Sequence, residues 1–253
     1  MMLTARDVYN VGVEQRAELI LTEAGITNSD DDLAIARKIS EVINVFVNDY
    51  FQILIENDGT RADGSVLLEP NFRRAVTGLI TEFKPRAISE IERSIPVAGT
   101  TPKNVYELSG ATTLSGANNV TRNLSTTLGL LWESIADVSP YAINSETEFG
   151  LKIKGIDLIS KNIDTGHVEY QQLKTQKNTL TGSQRGRSIA ELSLHEHPVF
   201  CACFSLSSWT FNHPTIPRVA GSDFWRRIGI QYEVFVSLVT PLIQELEEEY
   251  RNL

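Results

Sequence analysis

The order of residue patterns between positions 126 and 209 restricts the fold more than any other feature of the chain. A helical pattern at 126–138 is followed by two strand-like segments, at 149–160 and 167–176. A second helical pattern at 182–196 then leads into a continuous apolar run at 198–209, which is typical of a buried strand. Helix, strand, strand, helix and strand in this order predict an α/β (α+β) fold, with a mixed sheet flanked by helices.

The parts of the chain on either side carry helical patterns. Apolar residues in 30–57 recur at intervals of three and four, so this segment is predicted to form a long amphipathic helix. A second helix is predicted over 71–83, and Pro85 is expected to end it because proline has no N–H and clashes inside a helix. The C-terminal segments 222–228 and 232–252 also have helical patterns.

A polar segment separates the helical N-terminus from the region with strands. Residues 96–125 are rich in glycine, threonine, serine and asparagine, a composition typical of loops. The sequence therefore predicts a helical N-terminal region at 1–95, a polar loop at 96–125, and a core with C-terminal helices at 126–253.

Composition narrows the class of protein. Apolar residues make up 42% and charged residues 22% of the chain, as in ordinary globular proteins. No apolar run approaches the length of about 18 residues needed to span a membrane, and the N-terminus lacks the apolar segment of a signal peptide. We therefore expect a cytoplasmic protein without a membrane partner. Cys201 and Cys203 are too close in sequence for an ordinary disulfide and are expected to be buried free thiols.

The distribution of charge is more informative than its sum. The net charge of −9 disfavours a polyanionic partner for the chain as a whole. The segment 171–187 nevertheless contains Lys174, Lys177, Arg185 and Arg187 and no acidic residue. A basic segment inside an acidic protein allows a polyanion to bind at that place.

A turn signal at 164–166 brings an acid, an amide and a lysine together. With the turn centred on Thr165 and Gly166, Asp157 falls opposite Lys174, and the Cβ atoms of such a pair are about 5 Å apart. Gln172 shares this face because side chains two positions apart in a strand point the same way. A slip of one residue would undo the pairing.

The environment of Asp157 requires compensation of its charge. Its side chain lies on a largely apolar strand face, where a carboxylate costs free energy unless a cation or hydrogen bonds offset it. Lys174 or a metal ion would serve, so a structural Asp–Lys pair and a catalytic site both explain these residues. Glu169 faces the other side of its strand in this register, and only a bulge would bring it to Asp157 in place of Gln172.

These residues resemble a nuclease signature. Asp157, followed by Gln172 and Lys174 on the next strand, looks like the P-D…(D/E)-x-K motif of the restriction-endonuclease-like (PD-(D/E)XK) nucleases. The order of elements from 126 to 209 is similar to their αβββαβ core. Two positions depart from the motif, because Ile156 stands in place of the proline and Gln172 in place of the acid.

Two further segments add to the resemblance. Glu133 lies in GLLWESI, which resembles the G-x-x-(F/W)-E-x-x-(I/V) helix before the core strands of many of these nucleases, where the glutamate helps to bind metal. The segment 221–225, GSDFW, is similar to a segment of type II restriction enzymes that cut interrupted G/C-rich sites. A pair of core aromatic residues explains the second segment equally well.

The resemblance implies a role for each residue. Glu133, Asp157, Gln172 and Lys174 would form the catalytic set, with Mg²⁺ held centrally by Asp157 and further by Glu133 and the Gln172 carbonyl oxygen, since Mg²⁺ prefers oxygen ligands. Lys174 would orient the attacking water, lower its pKa or stabilise charge on the phosphate.

The segment after Lys174 combines cationic, amide and hydroxyl side chains, which bind the phosphates and base edges of DNA. A helix beginning near 183 would add the positive end of its dipole. The position directly after the catalytic strand favours DNA contacts over an ordinary solvated loop. The predicted DNA-binding residues are Thr175, Gln176, Lys177, Asn178, Thr179, Ser183, Gln184, Arg185 and Arg187.

The sequence thus predicts a Mg²⁺-dependent, site-specific endonuclease of double-stranded DNA, a type II restriction enzyme. A homodimer is expected because two active sites related by a two-fold axis can cut both strands of a palindrome. The region 1–95 is available for dimerisation or for clamping DNA, and a cognate DNA methyltransferase is expected as a functional partner. Two alternatives stay open: a non-catalytic DNA-binding or interaction protein on a degenerate nuclease core, for which Gln172 argues, and an unrelated α/β scaffold with a coincidental motif.

Overall fold

The computed structural model describes residues 3–57, 69–95, 101–102 and 104–253, which form ten helices and five strands. In chain order the elements are α1 (Ala5–Tyr9), α2 (Val13–Ala24), α3 (Asp32–Asn57), α4 (Glu69–Ser94), α5 (Val105–Leu108), α6 (Thr112–Ala136), β1 (Ala142–Ile143), α7 (Ser145–Phe149), β2 (Leu158–Lys161), β3 (Val168–Gln176), α8 (Gly182–Leu192), β4 (Pro198–Phe204), β5 (Arg218–Ala220), α9 (Ser222–Arg227) and α10 (Tyr232–Arg251). No described helix is both long enough and apolar enough to cross a membrane.

The sheet is mixed, as the order of patterns predicts. Its strands lie in the order β1-β2-β3-β4-β5. The β1–β2 and β2–β3 pairs are antiparallel, and the β3–β4 and β4–β5 pairs are parallel. A parallel pair needs a crossover connection, and α8 supplies it between β3 and β4.

Helices cover both faces of this sheet. On one face, Ile159, Tyr170 and Phe200 pack in a cluster with buried residues of α1, α2 and α3. On the other face, Leu173 and Cys201 pack with buried residues of α4, α6, α9 and α10. Successive strand residues point to opposite faces, so each strand contributes side chains to both clusters. The sheet is therefore enclosed between α1, α2 and α3 on one face and α4, α6, α9 and α10 on the other. Cys201 and Cys203 are buried free thiols, as predicted.

The register between β2 and β3 differs from the prediction by two residues. Leu158 pairs with Gln171, which places Asp157 opposite Gln172 and not opposite Lys174. The turn is centred one residue earlier than predicted, and Asn162 N–H donates to His167 O at 2.9 Å. A shift of two residues keeps every side chain on its predicted face, because the period of a strand is two.

The segment 149–160 is not a strand throughout. Its first residue ends α7, residues 150–157 are irregular, and only Leu158 onwards joins β2. Leu151 and Ile153 are buried although they lie outside the sheet, so the apolar alternation here reflects packing without strand pairing.

The polar loop predicted at 96–125 is wrong for 105–108 and 112–125, which are helical in α5 and α6. Glycine, serine, threonine and asparagine are weak helix formers. Tertiary packing outweighs this preference, because Val120 is buried and Asn123 Nδ2 donates to Ser94 Oγ of α4 at 2.8 Å. Residues 96–100 and 103 of the predicted loop lie outside the described residues.

The prediction that Pro85 ends a helix is also wrong. Helix α4 runs from Glu69 to Ser94 with Pro85 inside it. Phe83 and Ala87 are both buried, and α4 packs along α6 and α10. Packing on both sides of the proline therefore outweighs the one hydrogen bond that the proline removes.

Candidate functional site

Asp157, Gln172 and Lys174 come together where the irregular segment before β2 meets β3. The backbone N–H of Asp157 donates to Gln171 O at 2.9 Å, which fixes the residue against β3. Asp157 Oδ2 accepts the backbone N–H of Leu173 at 2.7 Å and lies 3.4 Å from Lys174 Nζ. Both charged side chains are partly open, with 24% of Asp157 and 25% of Lys174 exposed. Asp157 Oδ1 accepts no hydrogen bond from a described residue, so one face of the carboxylate is free to bind a cation.

Gln172 is buried with one half of its amide unsatisfied. Its Nε2 donates to Gly155 O at 3.2 Å. Its Oε1 is buried and has no hydrogen-bond partner among the described residues. A buried carbonyl oxygen without a partner is unfavourable by about 1–3 kcal/mol, so this oxygen is a ready acceptor for a water, a donor or a metal ion.

Glu133 lies near the same place on helix α6. Burial raises the pKa of Glu133 to about 7, and the negative charge of Asp157 adds to this effect. The positive charge of Lys174 acts in the opposite direction. Among the described residues, Glu133 makes no hydrogen bond or ion pair with Asp157, Gln172 or Lys174, so its link to them is through these charge effects alone.

A cleft of about 580 Å³ opens at Asp157, Gln172 and Lys174, and we call it the Asp157 cleft. Besides these residues it is lined by charged side chains that sequence reasoning missed, namely Asp32, Lys152, Lys154 and Glu191, and by the predicted DNA contact Arg187. The alternation Leu151-Lys152-Ile153-Lys154 was the available signal, because apolar residues that point inward leave the intervening lysines pointing outward.

Glycine is required at position 155 for the wall of this cleft. Gly155 has φ +77°, and a Cβ built on it would lie only 2.4 Å from Glu191 Cβ of α8. The absence of a side chain lets the backbone before Asp157 lie directly on α8. The Gly155 carbonyl then receives the Gln172 amide, so α8, the irregular segment and β3 are held together beside Asp157.

The predicted DNA-binding residues occupy the end of β3, a short turn and the start of α8. Thr175 and Gln176 belong to β3, Lys177, Asn178 and Thr179 lie between the elements, and Ser183, Gln184, Arg185 and Arg187 lie in α8. The predicted helix start is close to the observed one at Gly182.

Several of these side chains already have structural partners. Gln184 Oε1 accepts the backbone N–H of Thr181 at 3.1 Å in a capping box. Arg185 Nη2 donates to Asn212 O at 2.5 Å, and Thr179 Oγ1 donates to Gln176 O at 2.7 Å. These contacts explain part of the polar character of the segment without DNA. Lys177 is half-buried and its Nζ donates to Ser205 Oγ at 3.4 Å, whereas Arg187 is largely exposed and has only a long ion pair with Glu191, at 3.7 Å.

Glu169 takes no part in the Asp157 cleft. Its carboxylate binds Arg227 Nη1 at 2.8 Å, Asn162 Nδ2 at 2.8 Å and Gln171 Nε2 at 3.1 Å. Glu169 lies on the opposite face of β3 from Gln172, since the two residues have opposite parity, and none of its three partners lines the Asp157 cleft. Of the two side chains considered beside Asp157, the structure places Gln172 there and Glu169 elsewhere.

The aromatic residues of the segment 221–225 belong to the core. Phe224 and Trp225 are fully buried, and Trp225 Nε1 donates to Cys203 O at 2.9 Å. Their burial against β4 accounts for both residues structurally.

The described residues contain no group of three or more histidine, cysteine, aspartate or glutamate side chains placed to hold a metal ion. A cation at Asp157 would therefore need the Gln172 carbonyl oxygen or water among its ligands. No protein-family model matches the chain, and no curated protein matches it significantly.

Proposed function

We propose that this protein is a Mg²⁺-dependent, site-specific endonuclease of double-stranded DNA, a type II restriction enzyme with a restriction-endonuclease-like core. The observation that carries the proposal is the meeting of Asp157, Gln172 and Lys174 in one open cleft, with Glu133 linked to them through charge effects. Phosphodiester hydrolysis needs a cation at the phosphate and a positively charged or donor group near the attacking water, and this set offers both.

The arrangement of elements supports this proposal. Helix α6, strands β1, β2 and β3, helix α8 and strand β4 occur in the αβββαβ order of the resemblance, with the short helix α7 inserted between β1 and β2. Glu133 lies on the first helix of that order, and Asp157 and Lys174 lie at β2 and β3. The positions of these residues on this series of elements support the proposal.

The donor set fits Mg²⁺. Asp157 Oδ1 and Gln172 Oε1 accept no hydrogen bond from a described residue, and Glu133 adds a carboxylate nearby. Mg²⁺ keeps several waters and is commonly held by one or two carboxylates, so a cluster of three acidic side chains is not required. When bound, the ion would polarise the phosphate and stabilise the leaving oxygen.

The protein's own residues have distinct tasks in this proposal. Asp157 binds the cation and is oriented by the Leu173 N–H. Lys174 presents a positive charge beside it, which orients the water or stabilises charge on the phosphate. Gln172 offers a neutral oxygen where the motif has an acid, so this site has one negative charge fewer than the motif implies.

DNA cleavage at a palindrome calls for two sites, so we propose a homodimer that binds double-stranded DNA through residues 175–187. Lys177 and Arg187 are the proposed phosphate contacts, and Asn178 is a proposed base contact. A restriction enzyme also requires a protective cognate methyltransferase.

The direct test is incubation of the purified protein with long unmethylated DNA and Mg²⁺. Discrete fragments that do not form with EDTA or with Asp157→Ala would support the proposal. A smear of fragments that is lost in Asp157→Ala would indicate a nonspecific nuclease in place of a site-specific one. Intact DNA under all conditions would overturn the endonuclease.

A second candidate is a non-catalytic DNA-binding protein on a degenerate nuclease core. The neutral Gln172 and the lack of a three-carboxylate cluster among the described residues favour it. Retarded but uncut DNA in the same experiment, at every Mg²⁺ concentration, would identify this function.

A further inference from the structure

The segment 151–154 presents two lysines to solvent from an anchored backbone. Leu151 and Ile153 are buried in the core, whereas 81% of the Lys152 side chain and 47% of the Lys154 side chain are exposed. Lys152 pairs with Glu146 and Lys154 pairs with Asp32, and both lysines line the same cleft. Burial of the intervening residues limits how far the segment can move.

Both lysines line the Asp157 cleft, together with Lys174 from β3 and Arg187 from α8. The four cations come from three separate segments of the chain and border one opening. They occur in a protein whose net charge is −9, so their convergence is not a reflection of a generally basic surface.

The ion pairs that these two lysines form with acidic residues are exposed to solvent. Lys152 Nζ is 3.8 Å from Glu146, and both side chains are largely exposed. Lys154 Nζ is 2.7 Å from Asp32 at the start of α3, and 73% of the Asp32 side chain is exposed. Exposed ion pairs contribute little to stability, so a phosphate can replace either carboxylate at small cost.

We propose that Lys152 and Lys154 form a phosphate-binding site for the DNA backbone on the wall of the Asp157 cleft. This inference rests on the proposed function and extends it, because it adds phosphate contacts from the segment before β2 to those proposed for residues 175–187. Asp32 acts as a competing anion that occupies Lys154 when DNA is absent.

The test measures DNA affinity against salt. A fluorescently labelled short duplex of arbitrary sequence is titrated in EDTA, so that neither cleavage nor a cognate site is needed. Each phosphate contact contributes about 0.9 to the slope of log affinity against log salt, so Lys152→Ala with Lys154→Ala should lower the slope by about 1.8. Asp32→Asn should do the opposite and tighten binding by up to about fivefold, since it frees Lys154.

The matched control is Lys84→Ala. Lys84 also binds a carboxylate at 2.7 Å, from Glu245, and has 38% of its side chain exposed, but it lies on α4 outside the cleft. Its removal should leave both affinity and slope unchanged. The tighter binding expected for Asp32→Asn cannot arise from loss of folded protein, which guards the test against unfolded variants.

The outcomes separate this inference from the proposed function. If the double lysine variant binds with the wild-type slope, the phosphate site is overturned while the endonuclease stands. If the slope falls as expected but no Mg²⁺-dependent cleavage occurs, the phosphate site stands and the endonuclease is overturned. If the wild-type protein binds no duplex at all, the phosphate site is overturned.

Discussion

Strand β3 carries two charged clusters that differ in how completely they are satisfied. Around Glu169, the carboxylate is 7% exposed and receives hydrogen bonds from an arginine, an asparagine and a glutamine. Around Asp157, the pair with Lys174 is longer, at 3.4 Å, and both side chains are about one quarter exposed. A glutamine oxygen is buried without a partner among the described residues in each cluster, on Gln171 beside Glu169 and on Gln172 beside Asp157. The difference therefore lies in the carboxylates: the Glu169 cluster is complete at its carboxylate, whereas the Asp157 cluster is incomplete and borders a cleft, so it has capacity left for a ligand.

The largest expected effect follows from removing the groups of the incomplete cluster. We expect Asp157→Asn and Lys174→Ala each to lower DNA cleavage by about 1000-fold or more, because both act at the scissile phosphate in the proposed mechanism. Asparagine keeps an acceptor for the Leu173 N–H, so folding should be retained. Single-turnover cleavage of plasmid DNA measures the loss, with circular dichroism as the control for folding. Near-wild-type cutting by either variant would remove Asp157 and Lys174 from the proposed site.

The second prediction concerns the complete cluster. Glu169→Ala should reduce the free energy of unfolding by about 3 kcal/mol, because it leaves Arg227 and two amides without their shared acceptor. Asp157→Asn should reduce it by less than about 1 kcal/mol. Urea unfolding of both variants measures the difference, and the folded fraction of Glu169→Ala should still cut DNA. Equal destabilisation by the two substitutions would contradict the contrast between the clusters.

The third prediction concerns His195, a buried side chain without a hydrogen-bond partner in the described part of the chain, which lies outside the Asp157 cleft. Both ring nitrogens of His195 lack partners among the described residues, and the ring stacks on Tyr170 with centroids 4.9 Å apart. Burial lowers the pKa of His195 to about 4, below the usual value near 6.5. The unfolded chain therefore takes up a proton first as pH falls, and stability decreases by about 2 kcal/mol between pH 7 and pH 5.

His195→Phe keeps the stacking and removes the proton uptake, so its stability should vary less with pH by that amount. Urea unfolding of the wild type and the variant at pH 7 and pH 5 provides the measurement. The same pH dependence in both proteins would show that folding does not shift the pKa of His195. In that case its environment would not differ from that of an exposed histidine.

The smallest expected effect comes from Gln172→Met. Loss of the unsatisfied oxygen offsets loss of the bond to Gly155, so stability should change by less than about 1 kcal/mol. The Mg²⁺ concentration for half-maximal cleavage should rise about tenfold, since one ligand oxygen disappears. A Mg²⁺ titration of cleavage gives this value. An unchanged Mg²⁺ requirement would exclude the Gln172 oxygen as a ligand.

The sequence predicted which residues form the centre of the site better than it predicted the residues that surround them. The parity of strand side chains placed Asp157, Gln172 and Lys174 on one face, and this survived an error of two residues in register because parity did not change. A helix start near 183 and buried free cysteines were also predictable, from local residue patterns and sequence spacing.

What the sequence could not supply depends on distant parts of the chain. The helical state of 112–125 depends on packing against α4, which outweighs weak local helix preference. The partnership of Lys154 with Asp32 joins residues 122 positions apart. The placement of Gly155 on Glu191 depends likewise on where α8 lies, and no local pattern encodes that.

The packing of α4 on α10 has a consequence for synthesis. The apolar face of α4 is covered by residues such as Leu242 and Leu246, which leave the ribosome about 160 residues later than Phe83. Synthesis proceeds at about 5–20 residues per second, so the apolar face of α4 is without its partner α10 for on the order of ten seconds. The nascent chain is therefore exposed to aggregation during this interval, and a chaperone that binds apolar helices would find its target in α4.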